Sequence, residues 1–83
     1  MTNYKTEYAI RLGQAIKINR TEIGISSAEL ARRTGIGKGY VSRLENGFHP
    51  PNIDMLCRIA KALEVPPSRL MIVAESLDAT TVN

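Results

Sequence analysis

Residues that bind metals or form disulfides are nearly missing from this chain. Cysteine and histidine occur once each, at Cys57 and His49. A lone cysteine closes no intramolecular disulfide, and together the two fall short of the ligand set of a zinc site. No metal and no cofactor is therefore expected, and a reduced, intracellular setting is the simple reading. No apolar run approaches the roughly 18 residues of a membrane span. The opening M-T-N-Y-K-T-E-Y carries acid early and has no apolar stretch, which argues against a signal peptide. The chain is thus expected to be cytoplasmic, with no membrane partner. Catalysis also lacks its parts: with one histidine, one cysteine and no clustered carboxylates, no catalytic constellation assembles, and no enzyme is expected. Strand-like alternation, internal repeats and low-complexity segments are absent as well.

What remains is helical and basic. At 83 residues the chain makes one domain, expected over residues 1–77 with a frayed tail over 78–83. A chain of this size buries about 60% of its unfolded surface. All 11 Lys and Arg lie within residues 1–69 against six acids, a net +5, which leaves −2 for the tail. A basic body suits a polyanion, and a solvated surface accounts for it too. The spacing of Leu12, Ala15, Ile16 and Asn19 predicts a first helix from about Thr6 to Glu22, stopped by Gly24. Ser26 with Glu29 forms a capping-box pattern that opens a second helix of about eight residues, stopped by Thr34-Gly35. A third helix is read from Lys38 to Asn46, and a fourth from Ile53 to Leu63 behind the N-cap Asn52. In the fourth, Ile53, Leu56, Ile59, Ala60 and Leu63 form one apolar stripe. A shorter fifth helix follows Pro66-Pro67, from about Ser68 to Ala74 or a little further.

The three glycines of T-G-I-G-K-G-Y-V pose the functional question. A phosphate-binding loop needs G-x-x-x-x-G-K-[ST] after a strand. Here Gly39 follows Gly37-Lys38, Arg32 stands five positions before Gly37, and the preceding element reads as helix. The dinucleotide pattern G-x-G-x-x-G fails at Tyr40. A tight bend fits instead: two short helices joined by a glycine-containing turn make a helix-turn-helix. Gly35 supplies the left-handed backbone, Ile36 plugs the angle, and Gly37 serves as the next N-cap.

The run S-S-A-E-L-A-R-R-T-G-I-G-K-G-Y-V-S-R-L-E-N-G resembles the Cro/cI-type helix-turn-helix of phage repressors and their bacterial relatives. The likeness rests on Ser26, Leu30, Ala31, Gly35, Ile36, Val41, Ser42, Leu44, Glu45 and Gly47. It extends to L-G-x-x-I-K-x-x-R at Leu12 to Arg20 and to P-x-I-x-x-L-x-x-I-A-K-A-L-x-V at Pro51 to Val65, about residues 10–72 in all. The resemblance implies an all-α, compact five-helix lambda-repressor-like domain, bacterial or phage-encoded and associated with the nucleoid. It implies binding of double-stranded operator DNA as a homodimer, and an ion pair between Arg20 and Glu45 that joins the first and third helices. Two positions depart from the pattern. Ser27 stands where glutamine is frequent, and Gly39 lies where a polar side chain often reads a base. For Gly39 two readings stand: close approach of the backbone to DNA, or drift without consequence.

At 100° per residue, Val41 and Leu44 mark the inward side of the third helix, so Gly39, Ser42, Arg43 and Asn46 point outward. The N-terminal part of such a helix enters the major groove, which makes Arg43, Lys38, Ser42 and Gly39 the candidate base-reading positions. Arg43 leads, because arginine bidentate to guanine is the commonest specific contact. Ser27, Tyr40, Asn46 and His49 flank the reading face as candidate phosphate contacts, with an ordinary exposed loop residue as the other reading of His49. Arg32 and Arg33 read as general positive field.

A twofold dimer needs a surface, and Leu70, Met71, Ile72 and Val73 with Leu77 are the candidates, since four adjacent apolar residues cannot all face one core. Met55 and Cys57 could join them, and Ile10 and Ile18 leave a first-helix interface open. The function that follows is a sequence-specific transcriptional regulator of a palindromic operator. Phage repressor, restriction–modification controller and antitoxin are not separable by fold. The length is expected to leave no room for an effector domain. The alternative is a helical protein-interaction module, antitoxin-like, with weak or lost DNA binding and an unidentified protein partner.

Overall fold

The computed structural model describes the backbone of residues 7–81 and the side chains of residues 7–77. Five helices follow one another: α1 (Glu7–Glu22), α2 (Ser27–Thr34), α3 (Lys38–Glu45), α4 (Ile53–Ala62) and α5 (Pro67–Thr81). No strand occurs among the described residues. The expected start of α1 at Thr6 lies outside the described residues. The chief departure from expectation is at α5, which runs on to Thr81 instead of stopping near Ala74. Residues 78–81 therefore continue the helix, and 82–83 lie outside the described residues.

Short-range chemistry sets the boundaries. Ser26 Oγ accepts from the Glu29 amide at 3.0 Å, and Asn52 Oδ1 accepts from the Met55 amide at 2.8 Å. Each satisfies one of the free N–H groups of a first turn. The other half of the capping box does not form, because the Glu29 carboxylate turns toward Arg32 and Arg33 instead. Gly35 adopts φ 75 and ψ 16, and its N–H donates to the Ala31 carbonyl at 2.8 Å, which closes α2. Gly37, extended at φ −73 and ψ 150, caps α3 without a side-chain hydrogen bond. The turn between α2 and α3 is thus residues 35–37, with Ile36 packed against the core.

The core is one cluster fed by every helix. Leu12, Ala15 and Ile16 of α1 meet Leu30 and Ala31 of α2, Val41 and Leu44 of α3, Leu56, Ile59 and Ala60 of α4, and Leu70 and Ala74 of α5, with Leu63 at the C-cap of α4. Two polar residues are buried with them, and each returns a hydrogen bond to its own helix: Asn19 to the Ala15 carbonyl at 2.8 Å and Thr34 to the Leu30 carbonyl at 2.7 Å. Ile53 departs from the expected stripe. It shares a side with Leu56 and Ala60 but opens α4 past the edge of the core, and it is 72% exposed.

α1 packs chiefly against α5 and α3, while α4 closes over α2 and α5. The approach of α1 to α3 is the tightest. A Cβ on Gly13 would collide with the Leu44 carbonyl oxygen and lie 2.8 Å from that of Glu45. At Gly47, with φ +82, a Cβ would lie 2.9 Å from Cγ1 of Ile10. α1 therefore touches the last turn of α3 backbone to backbone. Alanine in an unobstructed helix is worth about 1 kcal/mol over glycine. We expect Gly13→Ala to do the opposite and lower unfolding free energy by about 1–3 kcal/mol through overpacking. Urea denaturation measures this, and an unchanged or raised midpoint contradicts it.

Candidate nucleic-acid interface

Burial of Val41 (1% exposed) and Leu44 (2%) fixes which way α3 faces. Its opposite side presents Lys38, Gly39, Ser42, Arg43 and Asn46, all exposed. Among the described residues neither Lys38 nor Arg43 has an ion-pair partner. Both charges are therefore available to an external anion. Arg43 leans back along the helix, since Nη1 lies 3.7 Å from the place of a Cβ on Gly39. That fits the N-terminal lean of helical side chains.

The flanking positions differ in their freedom. Tyr40 is half-buried against the core, and its ring meets the His49 ring with centroids 5.8 Å apart at 45°. His49 is exposed beyond it, held beside α3 by that contact. Asn46 caps α3, and its Nδ2 donates to the Ser42 carbonyl at 2.8 Å. Part of its donor capacity is therefore committed inward. Ser27 is half-buried as the first residue of α2, on the far side of the turn.

Arg20 and Glu45 form a two-pronged ion pair. Arg20 Nε donates to Glu45 Oε2 at 2.7 Å and Nη2 to Oε1 at 3.1 Å, and the side chains are only 12% and 8% exposed. Nη1 donates to the Ile25 carbonyl at 2.9 Å. One guanidinium thereby ties α1, the turn before α2 and the end of α3. The parallel fork fixes direction as well as distance.

Arg32 and Arg33 are engaged, which their reading as general field did not foresee. Glu29 receives Arg32 Nε at 2.9 Å and Arg33 Nε at 3.0 Å. Arg33 also donates Nη1 to the Ala62 carbonyl at 3.0 Å and lies 3.8 Å from Glu64, so it caps the end of α4. The i, i+3 and i, i+4 spacing of Glu29 with the two arginines was a readable signal; the reach to α4 was not. Hydrogen bonds from Arg32 and then Arg33 hold the Glu29 carboxyl at about 2 against its usual 4.5. Arg58 Nη1 reaches the Thr34 carbonyl at 3.4 Å across the α2–α4 seam. Gly13 was also missed as a structural residue, although a lone glycine inside a helical pattern is a signal for close packing.

The fifth helix divides its apolar residues. Leu70 is fully buried and cannot serve an interface, because it points into the core one turn before Ala74. Ile72 is 61% exposed, while Met71, Val73 and Leu77 are intermediate. Met55 is also partly buried, and Cys57 is exposed. No cluster of metal-ligating side chains occurs among the described residues, and no helix there is long and apolar enough to cross a membrane.

Comparison with known proteins fits this geometry. Residues 16–70 match the family model described as Helix-turn-helix. An uncharacterised HTH-type transcriptional regulator of Mycobacterium tuberculosis is 36% identical over 66 residues, 80% of this chain and 47% of that protein. The clp gene regulator ClgR from Corynebacterium glutamicum superposes with a TM-score of 0.89 at 26% identity, covering 94% of this chain and 83% of that one. The restriction-modification controller protein C.AhdI from Aeromonas hydrophila gives 0.72 at 29% identity, covering 75% of this chain and 94% of that one. The chain spans about half the length of the curated relatives it matches.

Two measurements check this electrostatic frame. Glu45→Gln, which leaves the Arg20 charge largely buried without its partner, is expected to lower stability by about 3–5 kcal/mol; a change below about 1 kcal/mol, as for an exposed pair, contradicts the buried role. Glu29 is depressed in the fold, so its stabilising contribution is present above its unfolded value and lost as pH falls from 4.5 toward about 2. NMR titration of the Glu29 carboxyl should give a midpoint near the lower end, and a midpoint near 4.5 removes the pairing.

Proposed function

The chain belongs to the Cro/cI-type helix-turn-helix family of transcriptional regulators, and from that premise we propose that it is a sequence-specific regulator that binds a palindromic double-stranded operator as a dimer. The observation that supports this best is α3 itself: its apolar side is buried while Lys38 and Arg43 stand exposed and unpaired among the described residues. In this reading the N-terminal half of α3 enters the major groove. Arg43 addresses a guanine edge through its planar fork, and Lys38 reaches a base or a phosphate. Ser42 and Gly39 line the same face. Ser27, Tyr40, His49 and the remaining donor of Asn46 meet the sugar–phosphate rails on either side. Such contacts fix register without reading sequence.

One reading helix covers few base pairs, so two copies on half-sites about 34 Å apart supply the remaining affinity. Ile72, with Met71, Val73 and Leu77 around it, is the surface we assign to that contact. Leu70 supports it from within the core. Ile72 stands exposed beside the partly covered Met71 and Val73, which supports a twofold contact on this face.

Binding to duplexes selected from a randomised library, measured against salt, tests the proposal. Affinity should fall linearly on a log–log salt scale as counterions are displaced. Arg43→Ala should cost about 1–3 kcal/mol and relax preference at one base pair. Uniform weakening across sequences would make Arg43 a phosphate contact, and no binding at low salt would favour a protein-interaction module.

A further inference from the structure

Gly37 and Gly39 are the two glycines without a steric or positive-φ requirement; Gly37 is a helix N-cap, where glycine is ordinary, which leaves Gly39 to explain. Gly13 and Gly47 face backbone atoms where a Cβ would sit, and Gly24, Gly35 and Gly47 have positive φ. Gly39 has neither constraint: it lies exposed in the first turn of α3, and a Cβ built there meets a single atom, Nη1 of Arg43, at 3.7 Å. Glycine is the poorest helix former after proline, so its place in an eight-residue helix carries a cost that nothing inside the fold offsets. Only Arg43 uses the space. Positions 39 and 43 lie one above the other on a helix face, and the guanidinium leans back over the bare backbone. Among the described residues no carboxylate holds it there.

We propose that Gly39 is a positioning residue for Arg43, so that the base pair read by the arginine is set by positions 39 and 43 as a unit. The inference rests on the DNA-binding reading above. The empty surface at Gly39 lets the guanidinium lie along the end of α3 that enters the groove. Two acceptors on a guanine edge reward a planar fork only when its approach is fixed. Alanine at this position puts a Cβ 3.7 Å from Nη1 and narrows the space. A longer stem fills the space and turns the arginine toward the C-terminal half of the helix, away from the same base pair.

The test uses the full chain as wild type, Gly39→Ala, Gly39→Gln, Arg43→Ala and the Gly39→Gln/Arg43→Ala double variant. Each selects from a randomised duplex library, and each is titrated with the duplex the wild type enriches; circular dichroism verifies the helical fold. Gly39→Ala, whose Cβ only reaches contact distance from Nη1, should disturb the preference less than Gly39→Gln does. Gly39→Gln should lose preference at the same base pair that Arg43→Ala relaxes. The double variant should bind no more weakly than Arg43→Ala alone, the non-additivity of coupled positions. If Gly39→Gln alters a different base pair, if the two losses simply multiply, or if its preference equals that of the wild type, the proposal is overturned while DNA binding stands. A wild type that enriches no duplex overturns the DNA-binding reading and this inference with it.

Discussion

The seat that α1 makes for the last turn of α3 is the constraint on which the candidate interface depends. An eight-residue helix is too short to hold itself in water. Its burial through Val41 and Leu44 gives it a side but not a fixed direction. Direction comes from three contacts at one end: Gly13 against the carbonyls of Leu44 and Glu45, Gly47 against Ile10, and the Arg20–Glu45 fork. Close-packed backbones leave little room for tilt, because interiors adjust poorly to displaced atoms. All three contacts sit at the C-terminal end. The outward face of α3, with Lys38, Gly39 and Ser42, is left clear, and Arg43 leans back over its first turn.

Charge is distributed to match. The net +5 of residues 1–69 does not say which cations a polyanion would meet. Arg20 is spent on Glu45, Arg32 and Arg33 on Glu29, and Arg33 again on the end of α4. Arg20 and Arg33 join elements, and their fork geometry suits that work better than a lysine would. Lys38 and Arg43 remain on α3 without such duties, which makes the local field more telling than the total.

The parts of this fold that were legible in the sequence are those decided within a few residues. Ser26, Gly35, Gly37 and Asn52 mark helix ends because capping and left-handed backbone are local chemistry. The inward side of α3 followed from helical periodicity. The reach of Arg33 to Ala62 depends on how helices meet, and nothing adjacent in sequence reports it; the lone Gly13 signals close packing, but not against which helix. The true length of α5 was hidden for a related reason. Beyond Ala74 good helix formers (Glu75, Leu77, Ala79) alternate with weak ones (Ser76, Asp78, Thr80), so local preference marks no clear end, and α5 packs along α1. Leu70 was readable after all: it lies four residues before the equally buried Ala74, the inward spacing of a helix, and its apolar neighbours concealed this.

Backbone hydrogen exchange of Arg20→Lys, compared with the wild type, tests the seating of α3 most directly. The substitution keeps the charge and removes the fork. The account predicts that amides from Val41 to Phe48 lose protection while those of α4 and of Leu70 to Ala74 keep it. Unchanged protection in α3, or an equal loss through all five helices, would contradict the view that this junction holds the reading helix in place.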